Sequence, residues 1–281
     1  MKKKKQKSAF LTLGIFALGL FMGVTISNLM KRGPNMGLGG NKVDNYVLGE
    51  SAEIALTQEQ LNWGETQVRQ MLKDRPLMTP MIKEGDNLWT WLVRQFAGSS
   101  GNGEIRWDPT DPVPLWNAMS SGPKNGRLAF IQVTKTFADK SYHFGELKTG
   151  YYLWGNFFLE LFNIRSHGRT MKIEYRAANG ELSREAYIVE HFLVEVDSLY
   201  DAYRFFQAFW VPHCKKMGIP FEDQTLIETM GEGMKPMYIE DKVNQIFLPG
   251  SYHYKFYGEY YDSQKYGILY QRHLKLLKSN G

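Results

Sequence analysis

The chain has 281 residues, 43% of them apolar and 14% aromatic, a formal charge of +5 and one cysteine. A single cysteine excludes an intramolecular disulfide and a Cys-rich zinc site, so stability must come from a packed core. The positive charge does not mark a nucleic-acid binder: 7 of the 34 Lys and Arg and none of the 29 Asp and Glu fall in residues 1–32, which leaves −2 on the remainder.

Residues 8–30, SAFLTLGIFALGLFMGVTISNLM, are 23 positions without a charge. As a helix rising about 1.5 Å per residue they reach roughly 34 Å, enough to cross a hydrocarbon core of about 30 Å. A cleaved secretory signal has an apolar run of only about 7–15 residues, and Thr25-Ile26-Ser27 is a poor cleavage site, so the segment reads as a retained signal-anchor. Lys2, Lys3, Lys4, Lys5 and Lys7 precede the span, and only Lys31 and Arg32 follow it. This asymmetry keeps the basic flank 1–7 inside and places the C-terminal domain outside a cytoplasmic (inner) membrane, in the periplasm or beyond. Gly19 and Gly23 give a GxxxG spacing that lets two such helices approach closely. Residues 31–50, rich in Gly and Asn, form a flexible spacer, and 51–281 the extracytoplasmic domain.

In that domain Thr57 and Gln60 form a capping-box pair, with Leu56 and Leu61 as the hydrophobic staple around it. Leu61, Val68 and Leu72 continue one apolar face until Pro76. Asp86 caps a second helix, Asn87 to Ala97, which Gly98 ends and whose inward face is Leu88, Trp91, Leu92 and Phe96. Residues 98–126 are broken by Pro and Gly and read as a long loop, with Trp107 and Trp116 packed against the domain. Leu128–Val133 reads as a strand and Met171–Tyr175 as another short one. Between them Glu146–Ile164 is apolar on nearly every side, as a core helix is. The longest helix is expected after Ser183, running to about Val211 before Pro212, with Val189, Leu193, Val196, Tyr200, Tyr203, Phe206 and Trp210 as its buried stripe. The fold class is mainly α with a few short strands, α+β being the alternative.

No HExxH, GxSxG, P-loop or dinucleotide fingerprint occurs, no histidine has a glutamate three positions before it, and no cofactor is evident. The best polar constellation joins two helices. Thr149, Asn156, Glu160 and Asn163 form a polar seam on one, and His191 and Glu195, four apart, share a face of the other. If those faces meet, Glu160, His191 and Glu195 form a divalent-metal or acid/base site; otherwise they satisfy one another at a helix interface. His213 and Cys214 point about 100° apart on a helix and make a poor base–nucleophile pair. Asp108-Pro-Thr-Asp111-Pro lacks the Gly and distal Glu of an EF-hand and reads as a stiffened turn.

Seven of the 16 tyrosines crowd into residues 252–270. Tyr252, Tyr254, Tyr257, Tyr260 and Tyr261 are the interface candidates, since tyrosine combines contact area with a hydrogen-bonding tip. The bland alternative is that Tyr252, Tyr254 and Phe256 alternate as one face of a strand. A final helix carries Lys265, Arg272, Lys275 and Lys278 on one side and Tyr266, Leu269, His273 and Leu277 on another, a pattern open to anionic lipid. The favoured function is an accessory, scaffold or assembly protein acting through a protein partner or self-association. A membrane-tethered enzyme or metal protein, and a cell-wall or sugar-binding module, are the alternatives. Protease added to intact spheroplasts is expected to remove the domain from about residue 45 onward; protection until lysis would reverse the topology.

Overall fold

Thr57 fixes where the first helix begins. Its Oγ1 accepts from the Gln60 backbone N–H at 3.2 Å, and Gln60 Oε1 accepts from the Thr57 N–H at 2.9 Å, the reciprocal capping box that the sequence announces. The structure, a computed structural model, describes residues 55–98, 103–113, 117–135, 146–219 and 249–279. The expected anchor 8–30 with Gly19 and Gly23, the spacer 31–50 and Trp116 lie outside these residues. Among the described residues no helix is long and apolar enough to cross a membrane.

Helix α1 (Gln58–Asp74) leads through a 3-10 segment, Pro76–Met81, to α2 (Asn87–Phe96), whose cap Asp86 accepts from Trp89 N–H at 2.7 Å. Three short strands follow, β1 (Ile105–Trp107), β2 (Ala118–Ser121) and β3 (Ala129–Val133), in the sheet order β1-β3-β2. β1 runs parallel to β3 and β2 antiparallel, so Arg106, Phe130 and Ser121 lie in one row across the sheet. The expected loop 98–126 thus holds two strands, each too short to show a period.

The remaining described elements are helical: α3 (Glu146–Ala178), α4 (Arg184–Phe205), a π turn (Phe206–Trp210), α5 (Val211–Lys216), α6 (Tyr252–Ser263) and α7 (Tyr266–Ser279). All the described residues belong to one unit, Asp44–Gly281. Among the described elements the longest helix is α3, with 33 residues, rather than the one after Ser183, and it absorbs the expected strand Met171–Tyr175. Ile173 is buried while Met171 and Tyr175 are exposed. In a strand these three would share a face; residues two apart on a helix lie about 200° apart. A Schellman motif stops α3: Gly180, at φ 75°, donates to Ala177 and Glu181 donates to Arg176.

Pro212 does not end the helical run of α4 as expected. It lacks an N–H and its ring clashes with the carbonyl four residues back, and the π turn just before it widens the backbone there. Val196, Phe206 and Trp210 of the expected stripe are buried, and Val189, Leu193 and Tyr200 are partly so. The Tyr203 side chain lies outside the described set. Tyr252, Tyr254 and Phe256 likewise belong to a helix and not a strand. Ser251 caps α6 by accepting from Tyr254 N–H at 3.3 Å.

Two cores form along α3. At its N-terminal half Trp154 and Phe158 stack at 5.4 Å, Phe158 meets Phe205 at 4.8 Å, Trp91 meets Phe205 at 4.5 Å and Trp154 meets Trp210 at 5.5 Å. Trp154 Nε1 donates to Met78 O at 3.0 Å, tying the 3-10 segment to this cluster. Toward the C-terminal half Ile173 and Ala177 pack with Leu182, Tyr187, Ile188, Val194 and Tyr261.

Arg75, 2% exposed, bolts the sheet to α1. Its guanidinium donates to Val133 O (2.8 Å), Asp74 O (3.0 Å), Pro109 O (3.2 Å) and Asp111 Oδ1 (3.0 Å), and lies over the Trp107 ring at 5.3 Å. Burial pushes its pKa down, opposed by Asp111 and Asp74. Replacing Arg75 with Leu leaves buried carbonyls unpaired and is expected to cost about 2–4 kcal/mol. Urea unfolding of a chain starting at Val43 measures this; a loss below about 1 kcal/mol would mean that water replaces the guanidinium.

Candidate functional site

The residues nominated for chemistry lie on α3 and α4, where Glu160 is engaged by the sheet while His191 and Glu195 share Tyr257 of α6. Glu160, on α3, accepts from Ser120 Oγ of β2 at 2.6 Å and lies 3.5 Å from Asn163 Nδ2. Glu195, on α4, accepts from the Tyr257 hydroxyl of α6 at 2.5 Å. His191, one helical turn earlier, stacks on the Tyr257 ring with centroids 4.6 Å apart and planes at 17°. Its Nε2 lies 3.2 Å from Oε1 of Glu174, at ion-pair distance yet without hydrogen-bond alignment. Asn156 of the polar seam turns back to Tyr152 O at 2.9 Å, and Thr149 is partly buried. Among the described residues no three His, Cys, Asp or Glu side chains are placed to hold a metal ion.

Glu174 is the centre that sequence reasoning missed. It accepts from the hydroxyls of Tyr187 and Tyr266, the latter at 2.9 Å, and faces His191. Burial acts to raise its pKa, but His191, Tyr187 and Tyr266 outweigh burial and hold the carboxyl below the ordinary range. Tyr187, Tyr257 and Tyr266 are all pushed up, first by burial and then by the carboxylates they donate to. The hydroxyls therefore remain donors and the Glu174 carboxylate an acceptor. Nothing in the sequence spacing links residue 174 to 266; only the meeting of α3, α4, α6 and α7 does.

The tyrosine segment divides by orientation. Tyr261 is 2% exposed and donates to Leu182 O at 2.8 Å. Tyr254 and Tyr260 are partly buried against the second core, with the Arg184 guanidinium 5.9 Å above the Tyr254 ring. Tyr252 is 52% exposed and stacks with the exposed Phe256 at 6.0 Å and 19°.

Cys214 is fully buried, and that burial pushes the thiol up to about 12, so it stays protonated at neutral pH. His213 is turned away from it, with Nε2 donating to Met81 O at 2.7 Å. Asp108 accepts from Thr110 N–H at 3.0 Å, and Asp111 from Lys135 N–H at 2.9 Å, the contacts of a turn.

A basic groove of ≈ 780 Å³ opens on the sheet, lined by Arg106, Ser121, Lys124, Arg127, Leu128 and Phe130 among others. Sequence reading missed it because Lys124 falls in the assumed loop 98–126 and Arg127 between that loop and the assumed strand Leu128–Val133. The signal was present in the Lys-Asn-Gly-Arg string, since Asn-Gly between candidate strands marks a hairpin. Comparison with family models, curated proteins and solved structures finds no match for this chain.

Burial pushes the Glu160 carboxyl up to about 7 from an ordinary 4.5; Glu195 adds to the shift, and the hydrogen bonds from Ser120 and Asn163 oppose it. Because the folded value is the higher one, the folded chain holds the extra proton. The stabilisation is complete below about pH 4.5 and lost as pH rises toward about 7. Glu160→Gln is expected to flatten the fall in urea midpoint between pH 5 and 8; an unchanged slope would place that proton on another group.

Proposed function

We propose that the chain is a membrane-anchored accessory or assembly protein whose domain works outside the cytoplasmic membrane through protein–protein contacts. The supporting observation is the split in the α6 aromatics. Tyr257 and Tyr261 are spent on the fold, whereas Tyr252 and Phe256, at 52% and 43% exposure, present a stacked pair to solvent. An aromatic pair on a rigid helix offers contact area at little entropy cost. The charge-free stretch 8–30 supplies the tether and the lysine asymmetry the orientation.

The catalytic alternative draws on Glu160, His191 and Glu195. Their contacts with Ser120, Tyr257 and the Glu174 network give it no added support. The cell-wall alternative asks for a flat aromatic platform, which the exposed Tyr252 and Phe256 rings, with centroids 6.0 Å apart and planes at 19°, offer only over a pair of residues.

The test is affinity purification of the full chain from its native membrane, followed by mass spectrometry and titration of the partner found. Tyr252→Ala with Phe256→Ala is expected to weaken association about tenfold, the scale of an aromatic hot spot, while thermal stability holds. Tyr261→Ala, which opens the second core, is expected to lower stability instead. A double variant that captures the same partner at the same affinity would remove α6 from the interface.

A further inference from the structure

The hairpin joining β2 to β3 carries an unresolved electrostatic conflict. Lys124 N–H donates to Arg127 O at 3.2 Å and Arg127 N–H to Lys124 O at 3.0 Å, closing a two-residue loop. Its central residues, Asn125 and Gly126, have φ of 53° and 74°, the pair of positive values that a type I′ turn demands. Lys124 and Arg127 are therefore a directly opposed cross-strand pair of like charge, an arrangement that destabilises a hairpin. Among the described residues neither side chain has an acidic partner, and no carboxylate lines the groove they share.

Fixed neighbours complete the site. Arg106 lies in the row of Phe130 and Ser121, with its guanidinium 5.9 Å above the Phe130 ring and one nitrogen 2.9 Å from Asp108 Oδ2. Exposed Leu128 stands beside Phe130 in the groove. The base of the hairpin is held by α3: a side chain at Gly122 would strike the His167 ring at 2.0 Å, so the two elements touch. The His167 imidazole is pushed down by burial and further by Lys124, against a hydrogen bond with the Pro123 backbone. That setting favours the neutral ring, which adds no charge of its own beside the two cations.

We infer that this groove is a binding site for a phosphorylated ligand, its phosphate oxygens held between Lys124 and Arg127 within reach of Arg106 and its apolar part resting on Leu128 and Phe130. Arginine and lysine together supply forked and point donors for such an oxyanion, and the two-residue turn fixes the backbone that presents them, so that only side-chain rotamers are ordered on binding. A bound phosphate also supplies the counter-charge that the hairpin lacks. The inference does not depend on the α6 interface, and different residues test the two.

The experiment titrates the full-length chain in neutral detergent, at constant ionic strength, with inorganic pyrophosphate and separately with a short-chain phosphatidylglycerol below its micelle concentration. Calorimetry is expected to show saturable 1:1 binding that falls at least tenfold in the Lys124→Gln, Arg127→Gln double variant. Lys124→Glu serves as the folding control: it creates an ion pair with Arg127, so it is expected to raise the melting temperature while abolishing binding. Pyrophosphate binding that needs these residues supports the site for a soluble or polymer-borne phosphate. Binding confined to the lipid supports it for a headgroup. Binding equal in wild type and variants assigns the phosphate to the basic flank Lys2–Lys7 and overturns the proposal, as does no binding in either arm.

Discussion

The two cores of the described domain are both built on one helix. This is α3, with 33 residues and about 50 Å of backbone. Its first half sinks Trp154, Phe157 and Phe158 into a cluster closed by Trp91, Phe205 and Trp210. Aromatic groups of that size bury about 150–250 Å² each, so these few side chains dominate the packing energy. Among the described residues the indole N–H groups of Trp91 and Trp210 meet no acceptor, a cost of about 1–3 kcal/mol each that the dense ring packing offsets. Its second half turns Ile173, Glu174 and Ala177 toward α4, α6 and α7.

Continuity along α3 also explains why ionisable groups on it do not converge. Glu160 and Glu174 are 14 residues apart, roughly four turns, and reach different neighbours: the sheet in one case, the tyrosines in the other. A carboxylate that accepts two tyrosine hydroxyls and faces a histidine is bound by its surroundings as firmly as a structural group can be. The described side chains left open to solvent include Tyr252 and Phe256 on α6 and the residues of the hairpin tip.

Local chemistry was the legible part of the sequence. Thr57-x-x-Gln60 and Asp86 gave the first two helix starts because a cap is settled within four residues. The start of α4 after Ser183 and the strand ending at Val133 were equally readable. Failures came where a tertiary partner overrides local pattern. Met171–Tyr175 alternates enough to suggest a strand, yet helical phase sends Ile173 inward against Tyr187 and Ile188 and leaves Met171 and Tyr175 outside. Pro212 reads as a terminator until the π turn accommodates it. β1 and β2, at three and four residues, exist only by pairing with β3. Of the candidate site, Glu160, His191 and Glu195 were found as buried or half-buried polar groups, but their partners Ser120, Glu174 and Tyr257 are 17 to 62 positions away. The proposed membrane anchor and its orientation are read from the sequence of residues 1–32.

The π turn at Phe206–Trp210 amounts to one residue more than an uninterrupted α-helix would use. Five residues wound as a π turn cover about the same rotation as four in an α-helix, so the surplus is absorbed where it stands and the helix beyond keeps its phase. Losing a single position among 206–210 would let the run close into regular α-helix with His213 still at the Met81 carbonyl and Cys214 still enclosed. What such a loss would bring back is the clash of the Pro212 ring with the carbonyl four residues before it. Relatives of this protein that are one residue shorter in this segment are therefore expected to lack the proline as well.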